Sequence, residues 1–190
     1  MNKPLSRQDV KKQEILDQAQ RLFWDAGFHA TGVDTVLADT GISKRTLYKY
    51  FPSKEHLIEA VLAQYGSAVE GSLFEPAMAR STDPREQVLA IFDVRREMMD
   101  ACGHQGCLAM KAGLEYMGKH AGIEDTSKRS SLYIEGRFIA LCRAGGVKNA
   151  EEAGAQVNLL LQGAVLTSQA RRDTDVFDAA KAAVRLLIGL

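Results

Sequence analysis

Apolar residues recur at helical spacing through most of the chain, and no segment shows the sustained alternation of β-branched residues that is typical of strands. The first helix is predicted to begin after Ser6, whose hydroxyl can cap free amides, and to end at Gly27. Two short helices are predicted next, over residues 31–41 and 43–51, and Pro52 cannot continue the second of them. The pattern therefore predicts an all-α protein.

A long fourth helix is predicted to follow Ser53 and to cover residues 54–78, with Pro76 kinking or ending it. Further helices are predicted near residues 85–101, 107–119, 124–144, 150–171 and 175–189. We therefore predict about nine helices in two domains. A three-helix domain would cover residues 1–53, and a larger helical domain would cover residues 54–190.

Charge, apolar runs and cysteine content limit the location of the protein more than its function. The chain has 24 basic and 24 acidic residues, so its overall charge does not argue for nucleic-acid binding. The amino end lacks an apolar stretch after its positive charges, and no apolar run approaches the roughly 18 residues of a membrane span. Three cysteines are too few for a disulfide framework. We therefore expect a soluble, cytoplasmic protein with reduced cysteines.

The second and third predicted helices are joined by the turn at residues 41–43, which has the dimensions of a helix-turn-helix. Leu37, Ile42 and Leu47 would lock the two helices together. The side chains left on the outside are all able to bind DNA: Lys44, Arg45, Thr46, Tyr48 and Lys49. An exposed helix of this composition is also compatible with an ordinary solvated surface.

The stretch over residues 19–62 closely resembles the DNA-binding domain of the tetracycline-repressor family of regulators. The resemblance rests on Phe23 and Gly27, Thr31, the turn at 38–41, and the run 46–51 followed by Ser53, Lys54 and Glu55. It implies a helix-turn-helix DNA-binding domain followed by a helical ligand-binding and dimerisation domain. It also implies DNA contacts by Thr31, Lys44, Arg45, Thr46, Tyr48, Lys49, Tyr50 and Lys54. Lys44 and Arg45 are the candidates for reading bases, and Thr31 and Lys54 are expected to bind phosphate at helix amino termini.

The resemblance further implies a transcriptional regulator, a homodimeric repressor that leaves a palindromic operator when a small-molecule effector binds its C-terminal domain. The candidate residues for the effector pocket are Phe92, Met99, Cys107, Met110, Glu115, Tyr133 and Gln162. Each of them is also compatible with ordinary core packing, since methionine at helical spacing usually fills gaps between helices.

The last two predicted helices carry apolar stripes that need a partner surface. The candidate dimer-interface residues are Leu160, Leu161, Ala164, Val165, Phe177, Val184, Leu187 and Ile188. The pattern alone is compatible with packing inside one subunit and with a four-helix interface between two subunits.

Residues 103–108 have the pattern Gly-x-x-Gly-Cys-Leu at a predicted helix start, which resembles one branch of the family in which some members sense electrophiles or oxidants. A cysteine in the first turn of a helix has its thiolate stabilised by the helix dipole, so Cys107 is a candidate switch. The alternative is that Cys107 is a small buried core residue. Cys102, His104 and Cys107 fit no strong zinc spacing, and no metal or cofactor is expected.

The chain contains no dinucleotide-binding, phosphate-loop, nucleophile-elbow or zinc-protease motif, so we do not expect an enzyme. Two other classes remain open at this point: a helical enzyme without a recognisable motif, and a helical adaptor that binds proteins through its apolar C-terminal stripes. Salt-dependent binding to duplex DNA would separate both from the regulator, because only the regulator must neutralise phosphates.

Overall fold

The computed structural model describes residues 6–190, except for the side chain of Arg7. Over this part of the chain every regular element is helical. The α-helices are α1 (Arg7–Ala26), α2 (Val33–Leu37), α3 (Lys44–Tyr50), α4 (Lys54–Val69), α5 (Glu75–Met78), α6 (Pro84–Ala101), α7 (Leu108–Tyr116), α8 (Ala121–Ala144), α9 (Ala150–Arg171) and α10 (Val176–Ile188). The predicted all-α class with a helix-turn-helix is confirmed.

Local signals set both ends of α1. The Ser6 hydroxyl accepts a hydrogen bond from the Asp9 backbone N–H at 3.1 Å, and the Asp9 carboxylate accepts one from the Ser6 N–H at 3.0 Å. This reciprocal pair satisfies amides that the first helical turn leaves free. Gly27 ends the helix with φ of 93°, a conformation that favours glycine.

The second helix is shorter than predicted. It begins at Val33 with Gly32 as its N-cap, rather than at Thr31, and ends at Leu37. Thr31 lies before the helix because its side chain is buried and its hydroxyl donates to the Gly27 carbonyl at 2.7 Å. Thr31 therefore closes the carboxyl end of α1 instead of opening α2.

The long fourth helix is present as a continuous run of α4, a π-helical turn (Glu70–Phe74) and α5. Pro76 has no amide hydrogen, and in a regular α-helix its ring would clash with the carbonyl of the residue four positions earlier. The π turn directly before Pro76 widens the backbone at this point. The run ends at Met78, where the sequence predicted its end.

The fold divides into two compact units. The first unit contains the chain up to Gly66 together with Leu108–Lys128, and the second contains Ser67–Cys107 and Arg129–Leu190. Fully buried side chains of the first unit include Ile15, Phe23, Phe28, Leu47, Leu57 and Ile58. Those of the second unit include Phe74, Leu89, Ile91, Phe92, Phe138 and Phe177. A domain boundary at residues 53 and 54 stays a prediction.

Candidate nucleic-acid interface

The turn between α2 and α3 is held by its own hydrogen bonds. The Thr40 hydroxyl donates to the Leu37 carbonyl at 3.0 Å and accepts from the Ile42 N–H at 3.1 Å. Gly41 has φ of 64°, which allows the chain to reverse without a side-chain clash. The Ser43 hydroxyl then accepts the N–H of Thr46 at 3.2 Å and caps α3. The two short helices and this turn form the predicted helix-turn-helix.

The third helix presents its polar side outward. Leu47 has no exposed surface and Phe51, directly after the helix, is 3% exposed, so these side chains pack into the core. Lys44, Arg45 and Lys49 are exposed, and Tyr48 is 45% exposed. Thr46 and Tyr50 are half-buried, and the Tyr50 ring centroid lies 6.4 Å from that of Phe51. The helix thus offers donors for base edges and phosphates on one accessible side.

An ion pair on this surface was not anticipated from the sequence. Asp34 on α2 lies 2.7 Å from the Lys44 ammonium on α3, and both side chains are exposed. The hydrogen bond to Asp34 raises the pKa of Lys44 above its ordinary value. An exposed pair contributes little to folding, but it places a carboxylate among the cations of this surface.

The two predicted phosphate-binding residues lie in different surroundings. Lys54 is the first residue of α4 and is half-buried. The Ser53 hydroxyl accepts the N–H of His56 at 3.3 Å, so this helix terminus is capped. Thr31 is only 1% exposed, and its hydroxyl is bonded to the carbonyl of Gly27. Phosphate contact by Lys54 fits this placement, whereas the Thr31 hydroxyl is already used inside the protein.

A second support of the helix-turn-helix comes from α7, which belongs to the same unit. The two carboxylate oxygens of Glu115 accept the backbone N–H groups of Phe28 at 3.2 Å and His29 at 2.9 Å. The Lys111 ammonium donates to the Trp24 carbonyl at 2.7 Å, near the carboxyl end of α1. The cation and the anion of α7 therefore hold the end of α1 and the turn that follows it.

Aromatic contacts and a close backbone approach complete this support. The Tyr116 ring stacks on His29 with centroids 4.7 Å apart and meets Phe28 edge-on at 6.4 Å. A Cβ atom at Gly27 would lie 3.0 Å from Glu115 Oε1, so glycine also gives the carboxylate room. Glu115 was predicted to contact a ligand, but both its carboxylate oxygens are bonded to this turn. Its separation of 86 residues from His29 left no local signal.

The other candidate ligand residues are distributed over both units. In the first unit, Met110 lines a groove beside α7 together with Leu114 and Met117, which are 63% and 65% exposed. In the second unit, Phe92 and Met99 on α6 have no exposed surface. The remaining members are Cys107 and Gln162, which are half-buried, and Tyr133, which is exposed and donates to the Glu70 carboxylate. Their ligand contacts stay predictions.

Most of the predicted dimer-interface residues are buried within the second unit. Leu161, Ala164, Val165, Phe177, Val184 and Ile188 are buried, and Leu160 and Leu187 are half-buried. The helices α6, α9 and α10 pack on one another. The most regular apolar stripes of α9 and α10 therefore face this packing and not solvent. The exposed apolar surface is a neighbouring row: Leu159 is 70%, Leu166 57% and Leu186 83% exposed. A dimer interface here would therefore depend on that row.

The cysteines do not form a metal site within residues 6–190, where no group of at least three His, Cys, Asp or Glu side chains is placed to bind a metal ion. Cys102 is exposed, Cys107 is half-buried and Cys142 is buried. Burial raises the pKa of the Cys142 thiol. Across the same part of the chain, no helix combines the length and apolar character that a membrane crossing requires.

Comparison with known proteins identifies the helix-turn-helix. The family model for bacterial regulatory proteins of the tetR family matches residues 15–61, which run from the middle of α1 into α4. Residues 15–61 therefore form a DNA-binding domain of the tetR family. The match includes the turn, all of α3 and the cap of α4, which are the elements that present the candidate DNA-binding side chains.

Relatives of this chain extend the comparison. It is 37% identical over 78 residues to the uncharacterised HTH-type transcriptional regulator YxaF of Bacillus subtilis, a match that covers 40% of each chain. It is 27% identical over 178 residues to the HTH-type transcriptional repressor KstR2 of Mycolicibacterium smegmatis, covering 92% of this chain and 73% of KstR2. The crystal structure of a TetR-family transcriptional regulator from Streptomyces coelicolor has a TM-score of 0.84 at 22% identity over 95% of each chain. This likeness shows that the two chains share a fold.

Proposed function

We propose that this protein is a tetR-family DNA-binding transcriptional regulator that binds a two-fold symmetric operator as a homodimer. The observation that carries the proposal is the third helix, which buries Leu47 while leaving Lys44, Arg45, Tyr48 and Lys49 accessible. A helix of this kind enters the major groove when it is the second helix of a helix-turn-helix. Because the chain has no net charge, binding must depend on this local set of donors.

The side chains divide by the chemistry they offer. Lys44 and Arg45 lie in the first turn of α3 and can donate to the O6 and N7 acceptors of guanine. Tyr48 can donate to a phosphate, and Thr46 can hydrogen-bond to a base or contact a thymine methyl group. Lys54 lies at the amino end of the 16-residue helix α4, where the helix dipole favours phosphate. Base contacts would give specificity, and phosphate contacts would give register and salt dependence.

Dimerisation is proposed through α9 and α10. Leu159 lines a groove of about 580 Å³ together with Val176 and Ala179. Leu166 and Leu186 add exposed apolar surface on the same two helices. An isologous pairing of two such helix pairs would bury these side chains and repeat the α3 helix by a two-fold axis. A palindromic or pseudo-palindromic operator follows from that symmetry.

The regulatory direction proposed is repression, relieved by a small-molecule effector bound in the second unit. KstR2, which matches most of this chain, is named a transcriptional repressor. An effector can release DNA only if it binds more tightly to a conformer that cannot place both α3 helices in adjacent grooves. No catalytic activity is proposed, and a cytoplasmic location is expected for a protein with this role.

Selection of random duplexes by the purified full-length protein tests this function. We expect enrichment of one sequence with two-fold symmetry, and a reporter gene behind that sequence should be expressed less when the protein is present. Arg45→Ala should lose the preference at one base pair of each half-site, whereas Lys148→Ala, which removes an exposed cation just before α9, should keep the full preference. Recovery of unrelated sequences by the parent protein would contradict the proposal.

Thiol sensing through Cys107 is a second candidate for the signal. Cys107 directly precedes α7, whose Lys111 and Glu115 hold the end of α1 and the turn after it. Modification of a half-buried thiol at this position would disturb the start of that helix. An electrophile should then release operator DNA from the parent but not from Cys107→Ser. Cys102→Ser is the matched control, and an unchanged response of Cys107→Ser would exclude this signal.

A further inference from the structure

Arg95 on α6 is a mostly buried arginine without a carboxylate partner. The residue lies in the second unit and is 7% exposed. The guanidinium donates one hydrogen bond, from Nη2 to the Gln105 carbonyl at 3.2 Å. Within the part of the chain that the structure describes, no carboxylate lies within ion-pair distance of it. Its other guanidinium nitrogens are not among the buried atoms that lack a partner, so they reach solvent and can donate to another acceptor.

Several other arginines of this unit have the carboxylate partner that Arg95 lacks. The arginine–carboxylate pairs are Arg80 with Glu97, Arg85 with Asp83, Arg96 with Asp175 and Asp178, Arg137 with Glu70, and Arg143 with Glu151. All five of these arginines are more exposed than Arg95. Arg95 is thus more buried than any arginine of this set, and the described residues supply no carboxylate to pair with it.

Further polar groups without partners border the same loop. His104 Nδ1 is buried and has no hydrogen-bond partner among the described residues, and His104 directly precedes the Gln105 that accepts from Arg95. The Ser168 hydroxyl on α9 is fully buried and likewise has no partner there. The loop also meets α9, because a Cβ atom at Gly106 would lie 2.4 Å from Gln169 Oε1. These two atoms are buried hydrogen-bonding groups that the described residues do not use.

We propose that Arg95 binds the carboxylate of a small organic acid with an apolar body, and that this acid is the effector; the effector role rests on the proposed function. A guanidinium matches a carboxylate with two parallel N–H donors, and one positive charge compensates one negative charge. A phosphate group, at about −1.5 to −2, would leave excess negative charge buried. Phe92 and Met99 lie three residues before and four residues after Arg95, on the same face of α6, so the surroundings of the guanidinium are apolar and favour an acid with an apolar body.

Thermal unfolding and calorimetric titration of the full chain test the proposal with octanoate and benzoate as probes. Octanamide and benzamide are the matched neutral probes. We expect at least one carboxylate to raise the melting temperature, whereas its amide does not. Arg95→Met should weaken binding of that carboxylate at least roughly tenfold, and Arg95→Lys should weaken it less, because lysine keeps the charge but not the fork. Arg96→Gln, which removes a neighbouring arginine already paired with aspartates, should keep the parent response.

Three results would overturn the proposal: no response to either carboxylate, an equal response to carboxylate and amide, or an unchanged response of Arg95→Met. The comparison of carboxylate with amide uses only the parent protein, so it decides the matter even if a variant fails to fold. Arg95 would then be a structural residue that holds the loop through the Gln105 carbonyl.

The titration contains no DNA, so its failure leaves the proposed DNA-binding function standing. Conversely, a protein that binds octanoate or benzoate but selects no operator would retain this carboxylate site and lose the regulator function. When both hold, the carboxylate that binds should release the selected duplex from the parent protein and not from Arg95→Met. Equal release of the duplex from the parent and from Arg95→Met would show that Arg95 does not belong to the effector site.

Discussion

Replacing Glu115 by alanine tests the support that α7 gives to the helix-turn-helix. The substitution removes the acceptor of two backbone hydrogen bonds, at 3.2 Å from Phe28 and 2.9 Å from His29. Hydrogen bonds to charged groups contribute about 1.5–3 kcal/mol each, and a buried N–H left without a partner costs about 1–3 kcal/mol. Phe28 is a fully buried residue, whereas the His29 N–H is exposed and can bond to water.

The expected loss for Glu115→Ala is therefore about 2–4 kcal/mol in the free energy of unfolding, most of it from the Phe28 N–H. Glu115→Gln should lose about half as much, because its carbonyl oxygen keeps one bond while its amide group faces the other N–H. The expected order of stability is thus parent, glutamine variant, alanine variant.

Chemical denaturation gives these free energies, and amide hydrogen exchange at residues 28 and 29 locates the effect. Exchange should speed up at those amides in Glu115→Ala and stay unchanged at the Ser43 cap of α3. Glu14→Ala, which removes an exposed carboxylate on α1, is the control and should change stability by less than about 0.5 kcal/mol. A Glu115→Ala protein as stable as this control would refute the reasoning.

Three further predictions concern the ion pairs and the apolar row. Leu186→Glu should give a folded monomer by light scattering while Leu132→Glu stays dimeric, since Leu186 is the most exposed leucine of α10; a dimeric Leu186→Glu would oppose the proposed interface. Asp34→Asn should remove a carboxylate from the surface beside Lys44 and raise the affinity for duplexes of any sequence, most strongly at low salt; an unchanged affinity would oppose this effect. Arg137 lowers the pKa of Glu70, so the pair stabilises the fold above about pH 4.3 and this stabilisation is lost on acidification. Acid unfolding of Glu70→Gln should therefore be less steep than the parent's, and identical curves would contradict it.

Local signals made part of the fold predictable. The Ser6 cap and Gly27 set the bounds of α1, and Ser43 with Pro52 set those of α3. These signals act within about one helical turn, so the sequence carries them directly. Thr31 shows the limit, because its hydroxyl could cap a helix or close the preceding one, and only the packed end of α1 selects the second role.

The contacts that sequence reasoning missed are long-range. Glu115 binds amides 86 and 87 residues away, and Arg95 is unusual only because its side chain is mostly buried and pairs with no carboxylate of the described residues. The apolar stripes of α9 and α10 were recognised, but periodicity could not say which flank stays accessible after these helices pack together. Leu159 and Leu186 became visible as exposed residues only in the folded unit.

The most direct test of the central claim, that α3 reads DNA, is a base-by-base substitution scan of the selected duplex by fluorescence anisotropy. The parent should bind with a steep salt dependence, and Arg45→Ala should lose about 1–3 kcal/mol at one base pair per half-site while the penalties elsewhere stay unchanged. Lys54→Ala should weaken all duplexes alike and flatten the salt slope by about 1. Equal losses at every base pair for Arg45→Ala, or parent binding that ignores salt, would contradict the account.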